Sequence, residues 1–165
     1  MQIEEFNALE RADAVAALRP CLDVERWAAE IVDGRPYADT DALAAAAEGA
    51  ASPLRPDEVA QAMSHHPRIG EQPAGEHAEA RASRAEQAGI GTVDDDVAQA
   101  LRAGNRAYEE RFDRVFLIRA AGRSAEEILG ALTERLGHTA EEEDEIVADQ
   151  LRQIAVLRLR GLIAP

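Results

Sequence analysis

A chain of 165 residues can hold one domain with its own core, and a 46% share of hydrophobic residues sets it apart from disordered chains. Aromatics are only 4% and alanine is abundant, which favours closely packed helices over strands. The formal charge is −14, from 32 acids against 18 bases that are all arginine, so nucleic acid and anionic membrane surfaces are poor partners.

The opening Met1-Gln2-Ile3-Glu4-Glu5 lacks the basic flank and apolar run of a secretory signal. No stretch reaches the ~20 apolar residues of a membrane span, and Ile163-Ala164-Pro165 is not a peroxisomal address. A cytoplasmic protein is the expectation. Cys21, the sole cysteine, forms no internal disulfide and reads as a small core residue beside Leu18, Leu22, Val24 and Trp27.

In chain order, Asp23 is expected to cap a helix through Val24, Trp27 and Ile31 that ends at Gly34. Asp39 or Thr40 should cap the alanine-rich stretch to about Ala51, and a short helix after Pro53 and Pro56 should carry Val59 and Met63. The stretch from His65 to Gly75 holds Pro67, Gly70, Pro73 and Gly75 and must be a loop. Helix resumes from about Glu76 to Ala88 and breaks at Gly89 and Gly91. A longer helix follows, with Asp94, Asp95 and Asp96 in its first turn and a stripe of Val97, Leu101, Gly104 and Tyr108. Val115-Phe116-Leu117-Ile118 breaks that period and reads as a buried, extended connector. Ser124-x-x-Glu127 and Thr139-x-x-Glu142 match the capping box that opens a helix. The first of these helices should bury Ile128, Leu132 and Leu136 and stop at Gly137; the second should run to about Arg160. No internal repeat, linker or domain boundary is visible, so residues 1–165 are expected to form a single domain.

Three local features could carry chemistry. His65-His66-Pro67-Arg68-Ile69-Gly70-Glu71 places an imidazole on a loop stiffened by proline, where function often concentrates. Ser83-Arg84-Ala85-Glu86-Gln87 would set the hydroxyl, carboxylate and amide of Ser83, Glu86 and Gln87 on one helix face, at i, i+3 and i+4; Ser-x-x-Glu can equally be a capping box. Arg158 continues the apolar stripe Val147, Leu151 and Ile154 and so needs an anion, either an internal acid or a bound carboxylate. Arg152 and Arg160 read as ordinary surface residues. His65, His66 and His77 lack the i, i+4 spacing that clamps zinc, and there is no phosphate loop or nucleophile elbow, so no metal is expected.

Taken together, the motifs resemble the OHCU decarboxylase family, enzymes acting on 2-oxo-4-hydroxy-4-carboxy-5-ureidoimidazoline. The resemblance runs through Phe6-Asn7-x-Leu9, Cys21-x5-Trp27, Arg35-Pro36-Tyr37, His66-Pro67-Arg68-Ile69-Gly70-Glu71 and Ser83-Arg84-Ala85-Glu86-Gln87. It continues with Asn105-x2-Tyr108-x3-Phe112, Phe116-Leu117-Ile118, Ala121-Gly122-Arg123-Ser124 and Ile154-x2-Leu157-Arg158-Leu159.

The fold that the resemblance implies is an all-α bundle of about eight or nine helices. The implied reaction is the cofactor-free decarboxylation that closes the path from urate to (S)-allantoin. It puts the catalytic pair at His66 and Glu86, with substrate contacts at Pro67, Ser83, Arg84, Ala85, Gln87 and Arg158. Further contacts fall on Phe116, Leu117, Ile118, Arg119 and Ala120, through the backbone. The partner is thus a small ureidoimidazoline, and a homodimer is compatible with the resemblance and with the frequency of two-fold assemblies. The competing reading is a non-catalytic helical interaction module, which does not need His66, Glu86 and Arg158 to meet. A helix-turn-helix regulator is disfavoured by the charge.

Overall fold

The computed structural model describes residues 1–71 and 78–163. Among the described residues there are nine helices and no strands, as an alanine-rich, aromatic-poor sequence requires. The chain divides into two compact units, Met1–Ser64 with Leu151–Pro165, and His65–Gln150.

The first unit holds α1 (Ile3–Ala8), α2 (Arg11–Leu18), α3 (Glu25–Asp33), α4 (Thr40–Gly49), α5 (Pro56–Met63) and the later part of α9 (Ala140–Leu162). Its core is Phe6, Leu18, Trp27, Ile31, Leu43, Leu159 and Ile163, with Cys21 buried among the apolar residues as expected. The Trp27 indole N–H donates to the Ala47 carbonyl at 2.9 Å, so the buried ring keeps its polar atom satisfied. Asp39 caps α4 by accepting from the Ala42 N–H at 2.7 Å.

Two expectations fail in this unit. Asp23 does not cap α3; the N-cap is Val24, because the Asp23 carboxylate is engaged by Arg19 Nε at 2.9 Å and Gln61 Nε2 at 2.7 Å. Arg152 is no ordinary surface residue: it is half-buried, and its guanidinium donates to the carbonyls of Glu48, Ala50 and Ala51 at 3.1, 2.6 and 2.8 Å. It thereby satisfies backbone acceptors that the end of α4 leaves open.

The second unit holds α6 (Ala78–Ala88), α7 (Asp95–Phe112), α8 (Ala125–Arg135) and α9 as far as Gln150. The expected start of α6 at Glu76, together with His77, lies outside the described residues, as do residues 72–75 of the loop. Asp94 is the N-cap of α7, and Asp95 and Asp96 occupy its first turn, where the helix dipole favours acids. Leu101 and Tyr108 of the α7 stripe are buried with Ile128 and Leu132 of α8. Glycine at position 104 is what permits this approach, since a Cβ there would lie 2.5 Å from Leu132 Cδ2. Both capping boxes form: Ser124 and Glu127 exchange hydrogen bonds of 2.7 and 3.1 Å, and Thr139 and Glu142 of 2.8 and 3.2 Å. Leu136 is the C-cap of α8 and only half-buried.

Candidate active site

The loop that begins at His65 is tied down residue by residue. The Arg68 guanidinium grips Glu109 of α7 through two contacts of 2.5 and 3.0 Å, and that hydrogen bonding holds the Glu109 carboxyl below its ordinary range. Ile69 is buried in the core of the second unit, and its carbonyl accepts from Asn105 Nδ2 at 3.0 Å. Gly70 sits at φ +87°, a conformation that suits glycine, and its N–H donates to Gln87 Oε1 on α6 at 3.0 Å. His66 and Pro67 are half-buried and immediately precede these three anchors, whereas His65 is exposed.

Ser83 lies within α6 (Ala78–Ala88), five residues past Ala78, so the capping-box alternative for Ser83-x-x-Glu86 falls away. Ser83 is buried, Arg84, Glu86 and Gln87 are half-buried, and Ala85 is exposed. A helical step of about 100° puts Ser83 between Gln87 on one flank and Glu86 on the other. The Arg84 and Gln87 flank opens on a pocket of ≈ 480 Å³. Gly70 and Glu71 contribute polar groups to its wall, while Ile69, Ile90, Val93 and Leu101 make the wall mostly apolar. This combination of an apolar wall and a few polar groups is common in small-molecule sites.

Residues 115–120 are neither helix nor strand, in keeping with the expected connector. Phe116, Leu117, Ile118 and Ala120 are buried and Arg119 is half-buried. A network unseen from sequence holds this segment. Arg135, only 5% exposed, donates to the Leu117 carbonyl at 2.6 Å and lies 4.6 Å from the Phe116 ring centroid. The rest of its guanidinium meets Glu143, fully buried, with contacts of 2.8 to 3.1 Å. Glu143 also accepts from the Tyr108 hydroxyl at 2.5 Å and contacts His138 Nδ1 at 3.0 Å. Burial alone would raise the Glu143 carboxyl, but the hydrogen bonds from Arg135, Tyr108 and His138 bring it below its ordinary value. One residue on, the Arg119 N–H donates to Gln150 Oε1 at 2.8 Å.

Position 158 belongs to the other unit, where the half-buried Arg158 guanidinium reaches the Pro20 carbonyl at 3.4 Å. Of the expected site residues, His66, Pro67, Ser83, Arg84, Ala85, Glu86, Gln87 and 116–120 all lie in the second unit. Gly70 and Gln87 link the loop directly to α6. Arg135 and Glu143 escaped the sequence reading, although each continues an apolar stripe (Ile128 and Leu132; Val147 and Leu151) by helical spacing, the same signal that singled out Arg158. Among the described residues no group of three or more His, Cys, Asp or Glu is placed to hold a metal, and no helix is long and apolar enough to cross a membrane.

A sequence profile of the family described as OHCU decarboxylase matches residues 7–160. The 2-oxo-4-hydroxy-4-carboxy-5-ureidoimidazoline decarboxylase of Amia calva is 31% identical over 164 residues, which cover 98% of this chain and 87% of that protein. A crystal structure of OHCU decarboxylase in the presence of (S)-allantoin matches at TM-score 0.71 and 25% identity, over 89% of this chain and 96% of that one. A crystal structure of (S)-allantoin synthase matches in fold at TM-score 0.72 and 18% identity; it covers 99% of this chain, which spans 54% of that longer one. With the profile covering nearly all of its length, the chain belongs to the OHCU decarboxylase family and is a decarboxylase.

Proposed function

We propose that this chain converts 2-oxo-4-hydroxy-4-carboxy-5-ureidoimidazoline to (S)-allantoin and CO2, the last step of urate breakdown, without a cofactor. His66 moves the proton and Glu86 orients it. The observation that carries this reading is the Gly70 to Gln87 hydrogen bond, which fastens the His66-Pro67 loop to the helix bearing Ser83 and Glu86.

The chemistry asks little beyond position and protons. The bond to the carboxylate breaks, and its electron pair forms the double bond of an enol. The neighbouring carbon–nitrogen double bond gives its own pair to nitrogen, which takes a proton. The enol then collapses to a carbonyl, its hydroxyl proton departs, and the carbon bearing the ureido group takes a proton on one face. An imidazole, with an unperturbed pKa of about 6.5, can give and take protons near neutrality, and a positioned acid or base is worth about 10²–10⁴ in rate.

Gln87 has its carbonyl oxygen engaged by Gly70, so its NH2 group is the end that donates to the ligand. Arg158 offers a guanidinium fork for a carboxylate. Pro67, Ser83, Arg84 and Ala85 complete the contacts, and the backbone of 116–120 hydrogen-bonds the ring. The decarboxylase membership leaves the interaction-module reading without support.

The test generates the labile substrate in situ from urate with the two upstream enzymes and follows its decay and the optical activity of the product. Faster decay with a product enriched in the (S) enantiomer is expected. Racemic product at the uncatalysed rate would overturn the proposal.

A further inference from the structure

In the proposed function the His66 imidazole moves the proton, so its place in the fold matters to the rate. On that reading we infer that Asn105 of α7 is a positioning residue for His66: its side-chain amide holds the Ile69 carbonyl and so fixes the short stretch of chain on which the imidazole stands.

Residues 66–68 are neither helix nor strand, so no ladder of backbone hydrogen bonds holds them, and side chains of α6 and α7 anchor the loop instead. The Arg68–Glu109 pair is 47% and 26% exposed, where water and salt weaken ion pairs. The bond from the Gly70 N–H to Gln87 is exposed as well. The bond from Asn105 Nδ2 to the Ile69 carbonyl, at 3.0 Å, is buried, with Asn105 4% and Ile69 7% exposed. Out of reach of competing water, it is the firmest of the three. His66, Ile69 and Asn105 all belong to the second unit. From Ile69 the constraint passes back through Arg68 to Pro67, whose ring fixes its own φ and narrows the conformations open to His66. A shift of the Ile69 carbonyl is therefore carried to the imidazole rather than absorbed on the way.

Stability does not account for an amide at this position. Asn105 stands in the buried stripe of α7 between Leu101 and Tyr108, where an apolar side chain would pack without a desolvation cost. Its Oδ1 is buried and meets no partner among the described residues. An unmatched buried acceptor costs more than an average hydrogen bond returns, so the side chain is a net loss to the packing of α7. Turning the amide over would not help, because Oδ1 would then face the Ile69 carbonyl, acceptor against acceptor. What Asn105 adds is a buried N–H for Ile69, three residues after the imidazole. The motif Asn105-x2-Tyr108-x3-Phe112 thus divides its work: Tyr108 and Phe112 pack in the core of the second unit, and Asn105 holds the loop.

The test uses the full-length protein, with substrate generated in situ, and two variants. Asn105→Leu is close to the amide in size but gives Ile69 no donor. It should lower kcat by on the order of tenfold to a hundredfold and leave KM within about twofold, since a misplaced catalytic group costs rate rather than ground-state binding. In NMR spectra the His66 ring resonances, identified by their loss in His66→Ala, should shift in Asn105→Leu, while those of His138, held by Glu143, should stay. Asn105→Asp keeps the shape and can donate to Ile69 only while its carboxyl is protonated. Its kcat relative to wild type should therefore recover toward one as pH falls and decline as pH rises, and this profile decides the matter should Asn105→Leu fold poorly. A kcat for Asn105→Leu within about twofold of wild type, a loss confined to KM, or unmoved His66 resonances would overturn the inference. So would an Asn105→Asp activity ratio that does not vary with pH. A wild type that fails to decarboxylate would defeat the proposed function instead, and the His66 resonances would still report whether Asn105 sets the place of the imidazole.

Discussion

The backbone N–H of Gly70 and the side-chain oxygen of Gln87, 17 residues apart, meet at 3.0 Å; under the proposed function this leaves the NH2 end of the Gln87 amide to face the ligand. Gln87→Glu keeps an acceptor for Gly70 but replaces the donating NH2 with a negative charge. It should raise KM for the anionic substrate by about tenfold or more while the fold is retained, a loss of about 1.4 kcal/mol or more in binding. Gln87→Leu removes both functions and should also cost about 1 kcal/mol of stability. Steady-state kinetics and thermal melts separate the two; a wild-type KM for Gln87→Glu would contradict the assignment.

His66 and Glu86 are half-buried and lie on separate elements that Gln87 and Gly70 join. His66→Ala should reduce stereospecific turnover by about 10²–10⁴ with an unchanged melting temperature. Under the proposed roles, Glu86→Gln should lose less, since it keeps a polar group that can orient the imidazole. Circular dichroism of the product reads both. Near-normal (S)-allantoin formation by His66→Ala would remove the imidazole from the reaction.

Arg158 is expected to answer either an internal acid or a bound carboxylate, and its guanidinium reaches the Pro20 carbonyl at 3.4 Å. Arg158→Met keeps the aliphatic stem, which packs beside the charge in such residues. It should weaken substrate binding far more than it lowers the melting temperature. A variant that unfolds outright would instead mark Arg158 as part of the scaffold.

Glu143, fully buried, meets the nearly buried Arg135, and Tyr108 completes the cluster. Burial, then the hydrogen bond to Glu143, pushes the Tyr108 hydroxyl up to about 12, so it remains a donor across the working range. Glu143→Leu strands the Arg135 charge and should cost about 3–5 kcal/mol, whereas Tyr108→Phe removes one charge-assisted bond and should cost about 1.5–3 kcal/mol. Denaturant melts at neutral pH measure both. Equal losses would mean that Arg135 finds another partner when Glu143 is gone.

What could be read from the sequence followed from local rules. Asp39, Ser124 and Thr139 cap helices because a short polar side chain reaches the backbone within its own turn. Asp23 looked equivalent and does not cap, because Arg19 and the distant Gln61 compete for its carboxylate. Helices α1 and α2 gave no usable pattern: one is very short, and the other buries only Ala14 and Leu18. The site divides in the same way. His66, Glu86 and Gln87 stand in compact motifs, whereas Arg135, Glu143 and Gln150 act through partners 18, 35 and 31 residues away, and no local spacing encodes such distances.

Glu58, in the first unit, provides a test of pH dependence. It accepts from Arg26 at 2.7 and 2.8 Å and from the Arg55 N–H at 2.8 Å. The Arg26 hydrogen bond, aided by Arg55 and opposed by burial, lowers its carboxyl from 4.5 to about 2. The unfolded chain therefore takes up this proton more readily than the folded one. The stabilisation is present above the unfolded value of 4.5 and fades as pH falls through about 2. Glu58→Gln should melt below the wild type at neutral pH, and the two curves should converge across that acidic window. A gap that stays constant with pH would show that Glu58 acts through packing and neutral hydrogen bonding rather than through its charge.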